Sequence, residues 1–88
     1  MVEKTIIVTN RAGVHARPAA IIAQTANKFK AQILFTKGDM EVDAKSIMGV
    51  ITMAAGYNTE LLLRVEGEDE VDAANIIADL FEKKFEED

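Results

Sequence analysis

The 88-residue sequence contains no cysteine and no tryptophan, and only one proline, one histidine and one tyrosine. Without cysteine, neither a disulfide nor a thiolate metal site is available, and a lone histidine excludes a polyhistidine metal centre. No apolar run approaches the ~20 residues of a membrane helix. The N-terminus shows no basic stretch followed by an apolar one, so no signal peptide is visible. These absences predict a soluble cytoplasmic protein that uses neither metal nor cofactor. The length predicts a single domain over residues 1–88, with one small core and little margin.

Charge is present but unevenly spread. Residues 1–65 carry eight Lys/Arg against five Asp/Glu, whereas residues 66–88 carry two against ten, within a net charge of −5. A globally acidic chain argues against direct nucleic-acid binding. Most of the C-terminal acids read as a solvated helix face. Arg11, Arg17 and Lys45 fall near the two motifs described below and predict a local positive patch suited to a phosphate or an acidic protein.

Periodicity gives the element order. Residues 2–9 read as a strand with Val2, Lys4, Ile6 and Val8 on one face. A helix over about 16–27 has Ala19, Ile22, Ala23 and Ala26 at helical spacing, continued by Phe29. Residues 32–37 and 40–44 predict a hairpin turning at Gly38-Asp39, with Ile33, Phe35, Met40 and Val42 inward. Ser46 is a good N-cap for a short helix to about Ala54, stopped by Gly56 and Asn58. Residues 60–65 predict a strand with Leu61, Leu63 and Val65 inward. The last helix, about 70–84, carries Val71, Ala74, Ile77, Ala78, Phe81 and Phe85, with Lys83 and Lys84 at its negative end. The order βαββαβα predicts an α+β open-faced sandwich; periodicity alone leaves a ferredoxin-like arrangement open.

Two stretches carry chemistry. The first, Asn10-Arg11-Ala12-Gly13-Val14-His15-Ala16-Arg17-Pro18-Ala19-Ala20, holds the only histidine and the only proline. Pro18 fits near a helix start, where the N–H it lacks has no intrahelical partner. The amides of Ala16 and Arg17 then lie in a first turn, where backbone donors, the helix dipole and a guanidinium converge beside an imidazole. That combination suits a phosphate group. The second stretch is Lys45-Ser46-Ile47-Met48-Gly49-Val50-Ile51. Ser46 reads there as a helix cap, and Ile47, Met48 and Ile51 either fill the core or form an adaptable apolar docking patch.

Together, Gly-Val-His-Ala-Arg-Pro-Ala and Lys-Ser-Ile-Met-Gly-Val closely resemble the HPr family, the histidine-containing phosphocarriers of the bacterial phosphoenolpyruvate:sugar phosphotransferase system. The resemblance covers essentially all 88 residues. It implies a four-stranded antiparallel sheet covered on one face by three helices. It also implies that enzyme I, charged by phosphoenolpyruvate, passes a phosphoryl group to His15, on Nδ1, and that His15 passes it to sugar-specific IIA domains. Arg17 would stabilise the phosphate, with Ala16 and Arg17 supplying backbone donors.

By the same resemblance, Ser46 would be phosphorylated by HPr kinase/phosphorylase, linking the protein to catabolite repression and to a catabolite-control transcription factor. Ala16, Arg17, Ala20, Ile47, Met48 and Ile51 would contact enzyme I and the IIA domains. Such a protein is a phosphoryl carrier rather than a free-standing enzyme. Position 14 is Val where the family often has Leu or Ile, which leaves the carrier role intact. Three other readings stay open at this point: a purely regulatory corepressor acting through Ser46, a nitrogen-branch paralogue, and a ligand-sensing or RNA-binding module, the last weakened by net acidity and scarce aromatics.

Overall fold

The computed structural model describes residues 1–86. Its elements are β1 (Val2–Ile7), α1 (Ala16–Ala26), β2 (Gln32–Lys37), β3 (Met40–Asp43), α2 (Ile47–Met53), β4 (Glu60–Glu66) and α3 (Glu70–Glu82), followed by a 3-10 turn at Lys84–Glu86. The strands form one sheet in the order β1-β4-β2-β3. Every neighbouring pair is antiparallel: Ile6 sits opposite Leu61, Ile33 opposite Val65, and Phe35 opposite both Leu63 and Val42. The open-faced sandwich is therefore the fold. A ferredoxin-like order, which places β1 inside the sheet, is ruled out because β1 is an edge strand.

The core lies between the sheet and the helices. Alternation along β2 and β4 buries Ile33, Phe35, Leu61, Leu63 and Val65 completely, as expected when one sheet face is covered and the other is wet. Buried Ala19, Ala23 and Ala26 flank Ile22 on α1. Small side chains there let the helix lie close to what it covers. Phe35 meets Phe81 edge to face at 5.7 Å, and Phe81 meets Phe85 at 4.9 Å. Each such aromatic pair adds about 0.5–1.5 kcal/mol beyond its burial. On the wet face, Arg64 of β4 pairs with Glu3 of neighbouring β1 at 3.2 Å and, over β2, with Glu41 of β3 at 3.5 Å.

Some sequence expectations need correction. Val71 is not a core residue; it is 60% exposed, and fully buried Ala73 takes its place beside Ala74, Ile77 and Phe81. α3 ends at Glu82, and Phe85 reaches the core through a left-handed kink at φ 55° instead of along the helix. The last turn of α3 holds no basic residue; Lys83 follows it as the C-cap and pairs with the Asp79 carboxylate at 3.0 Å. Met40 is exposed because the register puts it opposite Lys37 at the tip of the hairpin. β3 stops at Asp43. α2 is stopped by Ala54 itself, in the left-handed conformation at φ 52°, before Gly56 is reached. The acidic tail at residues 87–88 lies outside the described residues. Among the described residues, no helix is long and apolar enough to cross a membrane.

Candidate functional site

The loop between β1 and α1 is held from inside. After Ile7, Val8 continues the pairing: its N–H donates to the Thr59 carbonyl at 2.9 Å and its carbonyl accepts from Asn58 N at 2.7 Å. The next inward position is Asn10, whose side chain is fully buried. Its Nδ2 donates to the Gly13 carbonyl at 2.7 Å, while Gly13 N donates to the Asn10 carbonyl at 3.1 Å. Gly13 has φ +74°, and a Cβ there would lie 2.8 Å from the Ala55 carbonyl oxygen and 2.9 Å from Gly56 Cα. Both conformation and space therefore require glycine. Val14, buried, donates its N–H to the same Ala55 carbonyl at 2.8 Å. The loop is thus pressed onto the turn that follows α2.

His15 is the residue immediately before α1. Its backbone is extended (φ −99°, ψ −165°), and its side chain makes no capping bond to the helix. Its N–H donates to the Gly13 carbonyl at 3.2 Å, and its carbonyl accepts the first intrahelical bond, from Ala19 N at 2.9 Å. Ala16 and Arg17 are the first two helical residues, where no carbonyl of the helix can reach the amides. Pro18 comes third and contributes no N–H. The first turn contains no acidic residue, so nothing within it offsets the positive end of the dipole. His15, Ala16 and Arg17 are exposed, Pro18 is buried and Ala20 is half-buried. The chain thus brings the imidazole, the guanidinium-bearing residue and the helix start together on open surface.

The second motif lies at the other end of α1. Lys45 Nζ donates to the Phe29 carbonyl at 2.8 Å, and Asn27 Nδ2 donates to the Lys45 carbonyl at 2.9 Å. Lys45 is therefore not part of a positive patch at His15; it ties the start of α2 to the chain just beyond the C-terminus of α1. Ser46 caps α2 as expected, its Oγ accepting from Gly49 N at 3.0 Å. Ile47 and Met48 are exposed, by 42% and 68%. Ile51 is half-buried and packs on the core. The patch therefore consists mainly of Ile47 and Met48, with Ile51 as its inner edge.

Three positioning features were not read from the sequence. In the sequence Asn10 is only the first residue of the histidine-bearing stretch, although the alternation Ile6, Val8 continues inward to position 10. The Gly13 contact with Ala55 and Gly56 joins segments distant in sequence and leaves no local signal. Lys37 Nζ donates to the carbonyls of Met53 and Ala54 at 3.0 and 3.2 Å, fixing the turn on which the loop rests. Among the described residues, no group of three or more metal-ligating side chains gathers at the site or elsewhere.

Comparison with known proteins bears directly on this arrangement. The PTS-HPr family, described as "PTS HPr component phosphorylation site", matches residues 2–83. The chain belongs to the HPr family. The phosphocarrier protein HPr of Treponema pallidum is 57% identical over 88 residues, covering all of both chains. That of Xylella fastidiosa is 44% identical over all of this chain and 99% of its own. The crystal structure of HPr from Thermoanaerobacter tengcongensis superposes with a TM-score of 0.96 at 44% identity, covering 100% of this chain and 99% of that one. Family membership carries the coarse function, a phosphocarrier role in the phosphotransferase system.

Proposed function

We propose that His15 accepts a phosphoryl group from phospho-enzyme I and passes it to sugar-specific IIA domains. The observation that carries this reading is the exposed imidazole immediately before a helix whose first turn offers backbone donors, no carboxylate and a guanidinium. A neutral imidazole is a competent nucleophile at cytoplasmic pH. As the bond between a ring nitrogen and phosphorus forms, the bond between phosphorus and the donor breaks; on departure the reverse occurs. Arg17 and the amides of Ala16 and Arg17 stabilise charge on the transferring group, which is most of what phosphoryl transfer requires. An open site suits a carrier, because donor and acceptor proteins must each complete it in turn.

Ile47 and Met48, with Ala16, Ala20 and Ile51, form the proposed surface for these partners. Ser46 is the proposed regulatory site for HPr kinase/phosphorylase, with a catabolite-control transcription factor as the proposed reader of its phosphate. A phosphate there would take up the acceptor role that the hydroxyl now plays toward Gly49 N, so α2 should survive the modification. The test is a two-step label chase. Labelled phosphoenolpyruvate and enzyme I should charge the protein, and the isolated phosphoprotein should then surrender its label to a IIA domain. Label that enters but does not leave contradicts the carrier role.

A further inference from the structure

We infer that Asn10 is a positioning residue for His15, holding the loop peptide from which the acceptor projects. This rests on the reading of His15 as the acceptor. Position 10 continues the inward face of β1 after Ile6 and Val8, where an apolar side chain would be expected. Instead it holds an amide with no exposure, the one fully buried polar side chain among the described residues. Burying an amide is costly unless it is hydrogen-bonded, so its bond is where the reason for its presence lies. Nδ2 donates to the Gly13 carbonyl at 2.7 Å, and the same oxygen accepts from His15 N at 3.2 Å. A carbonyl oxygen has two lone pairs, and these two donors use both. The carbonyl that receives the His15 amide is therefore fixed in direction by Asn10.

The same peptide is held at its other end, where Val14 N–H donates to the Ala55 carbonyl at 2.8 Å. Gly13 is also confined on that side by Ala55 and Gly56, so the Asn10 bond is the side-chain contact that holds the carbonyl end of the peptide. Without the Asn10 amide the Gly13–Val14 peptide keeps only its N–H anchor on Ala55, so its carbonyl can tilt about that bond and shift the His15 amide that donates to it. Arg17 and the first-turn amides ride on α1, which is anchored separately by buried Ala19 and Ile22. Loss of Asn10 would thus shift the imidazole relative to its phosphate-stabilising groups while leaving those groups in place. Misplacement of a reacting group by about 1 Å can cost about 100-fold in rate.

The test compares Asn10→Leu and Asn10→Ser with the unaltered protein as substrates of enzyme I and labelled phosphoenolpyruvate, with His15→Ala alongside. Leu keeps the branching and heavy-atom count, with somewhat bulkier methyls, and loses the donor; Ser retains a shorter one. Because residue 10 has no exposed surface, KM should stay within about twofold while kcat falls about tenfold or more for Leu, and less for Ser. Circular dichroism and melting establish that each variant is folded at the assay temperature. A folded Leu variant with an unchanged kcat overturns the inference, as does a failure of both variants to fold, which would make residue 10 a requirement of the fold alone. The His15→Ala control separates the two readings. If it takes no label while Asn10→Leu transfers normally, only the Asn10 inference fails; if it takes label normally, the acceptor reading fails first.

Discussion

Lys45 and Phe29 are joined by a hydrogen bond of 2.8 Å from Nζ to the carbonyl oxygen, and that bond sets the distance between the two motifs. It holds the N-terminus of α2 beyond the C-terminus of α1, whereas His15 precedes the N-terminus of α1. Eleven helical residues separate these ends, about 16 Å at 1.5 Å per residue. That exceeds the Debye length of about 8 Å at physiological salt. Any effect of a phosphate on Ser46 would therefore run through the proposed docking surface, not through direct repulsion of a phosphate on His15.

Ser46→Asp should consequently fold normally, since an aspartate caps a helix as well as a serine does. It should accept phosphate from enzyme I more slowly, chiefly through weaker binding, and added salt should partly restore it. Titrating enzyme I against both proteins at low and high salt checks this; equal affinities throughout would reduce Ser46 to a cap. Ser46→Ala loses the bond to Gly49 N and should cost about 1 kcal/mol of stability.

Arg17 is exposed on the first turn of α1, so its removal should affect transfer far more than folding. Arg17→Ala should melt within a few degrees of the unaltered protein, as surface changes of about ±0.5 kcal/mol do. Phosphoryl transfer to and from His15 should drop about tenfold or more, equivalent to about 1.4 kcal/mol of transition-state stabilisation. Unaltered kinetics in rapid-quench experiments would remove Arg17 from the site.

Glycines 13 and 56 face each other but should respond oppositely to alanine. At Gly13 the positive φ and the backbone contacts below 3 Å should make Gly13→Ala cost about 1–3 kcal/mol, or several degrees in melting temperature. At Gly56 a Cβ meets nothing within 4 Å, and Gly56→Ala should be nearly silent. Equal melting points for the two variants would mean that the loop does not rest on this turn.

The sequence revealed the elements whose signals are local. Alternation in β2 and β4, the alanine stripe of α1 and the Ser46 cap were all legible because neighbours a few residues apart decide them. His15, Arg17 and Pro18 were legible as a group for the same reason, since helix-start chemistry is local. What escaped depends on contacts between distant segments. Val71 looks like a core position by spacing, but the phase of α3 is set by how Ala73, Ala74, Ile77 and Phe81 seat on the sheet. Lys45 looks like a neighbour of the active stretch by charge, but its ammonium is drawn to Phe29. Asn10 lies on an inward position, yet the amide there is explained only by its bond to the Gly13 carbonyl, which exists once the loop is folded.

The turn before α3 should give the fold an acid-sensitive clasp. Asp69 Oδ2 and Oδ1 accept from the backbone amides of Lys30 and Ala31, each at 2.9 Å. The bond from Lys30 is the main cause of a carboxyl pKa held below its ordinary value; desolvation opposes it, and the Ala31 bond adds to the lowering. A carboxyl depressed in the folded state contributes stability above the unfolded value, about 3.9, and loses it as the pH falls through the folded value. Melting temperatures measured from pH 6 downward should therefore fall less steeply below about pH 4 for Asp69→Asn than for the unaltered protein. Parallel curves would show that Asp69 does not contribute to acid unfolding.

The central claim is that phosphate is carried on His15, and the most direct measurement is to locate it. The protein is charged with labelled phosphoenolpyruvate and enzyme I, digested at neutral to alkaline pH, and the phosphopeptide sequenced by mass spectrometry. The account predicts an acid-labile, base-stable phosphate on His15 and no label in His15→Ala. An acid-stable phosphate on another residue, or equal labelling of His15→Ala, would contradict it.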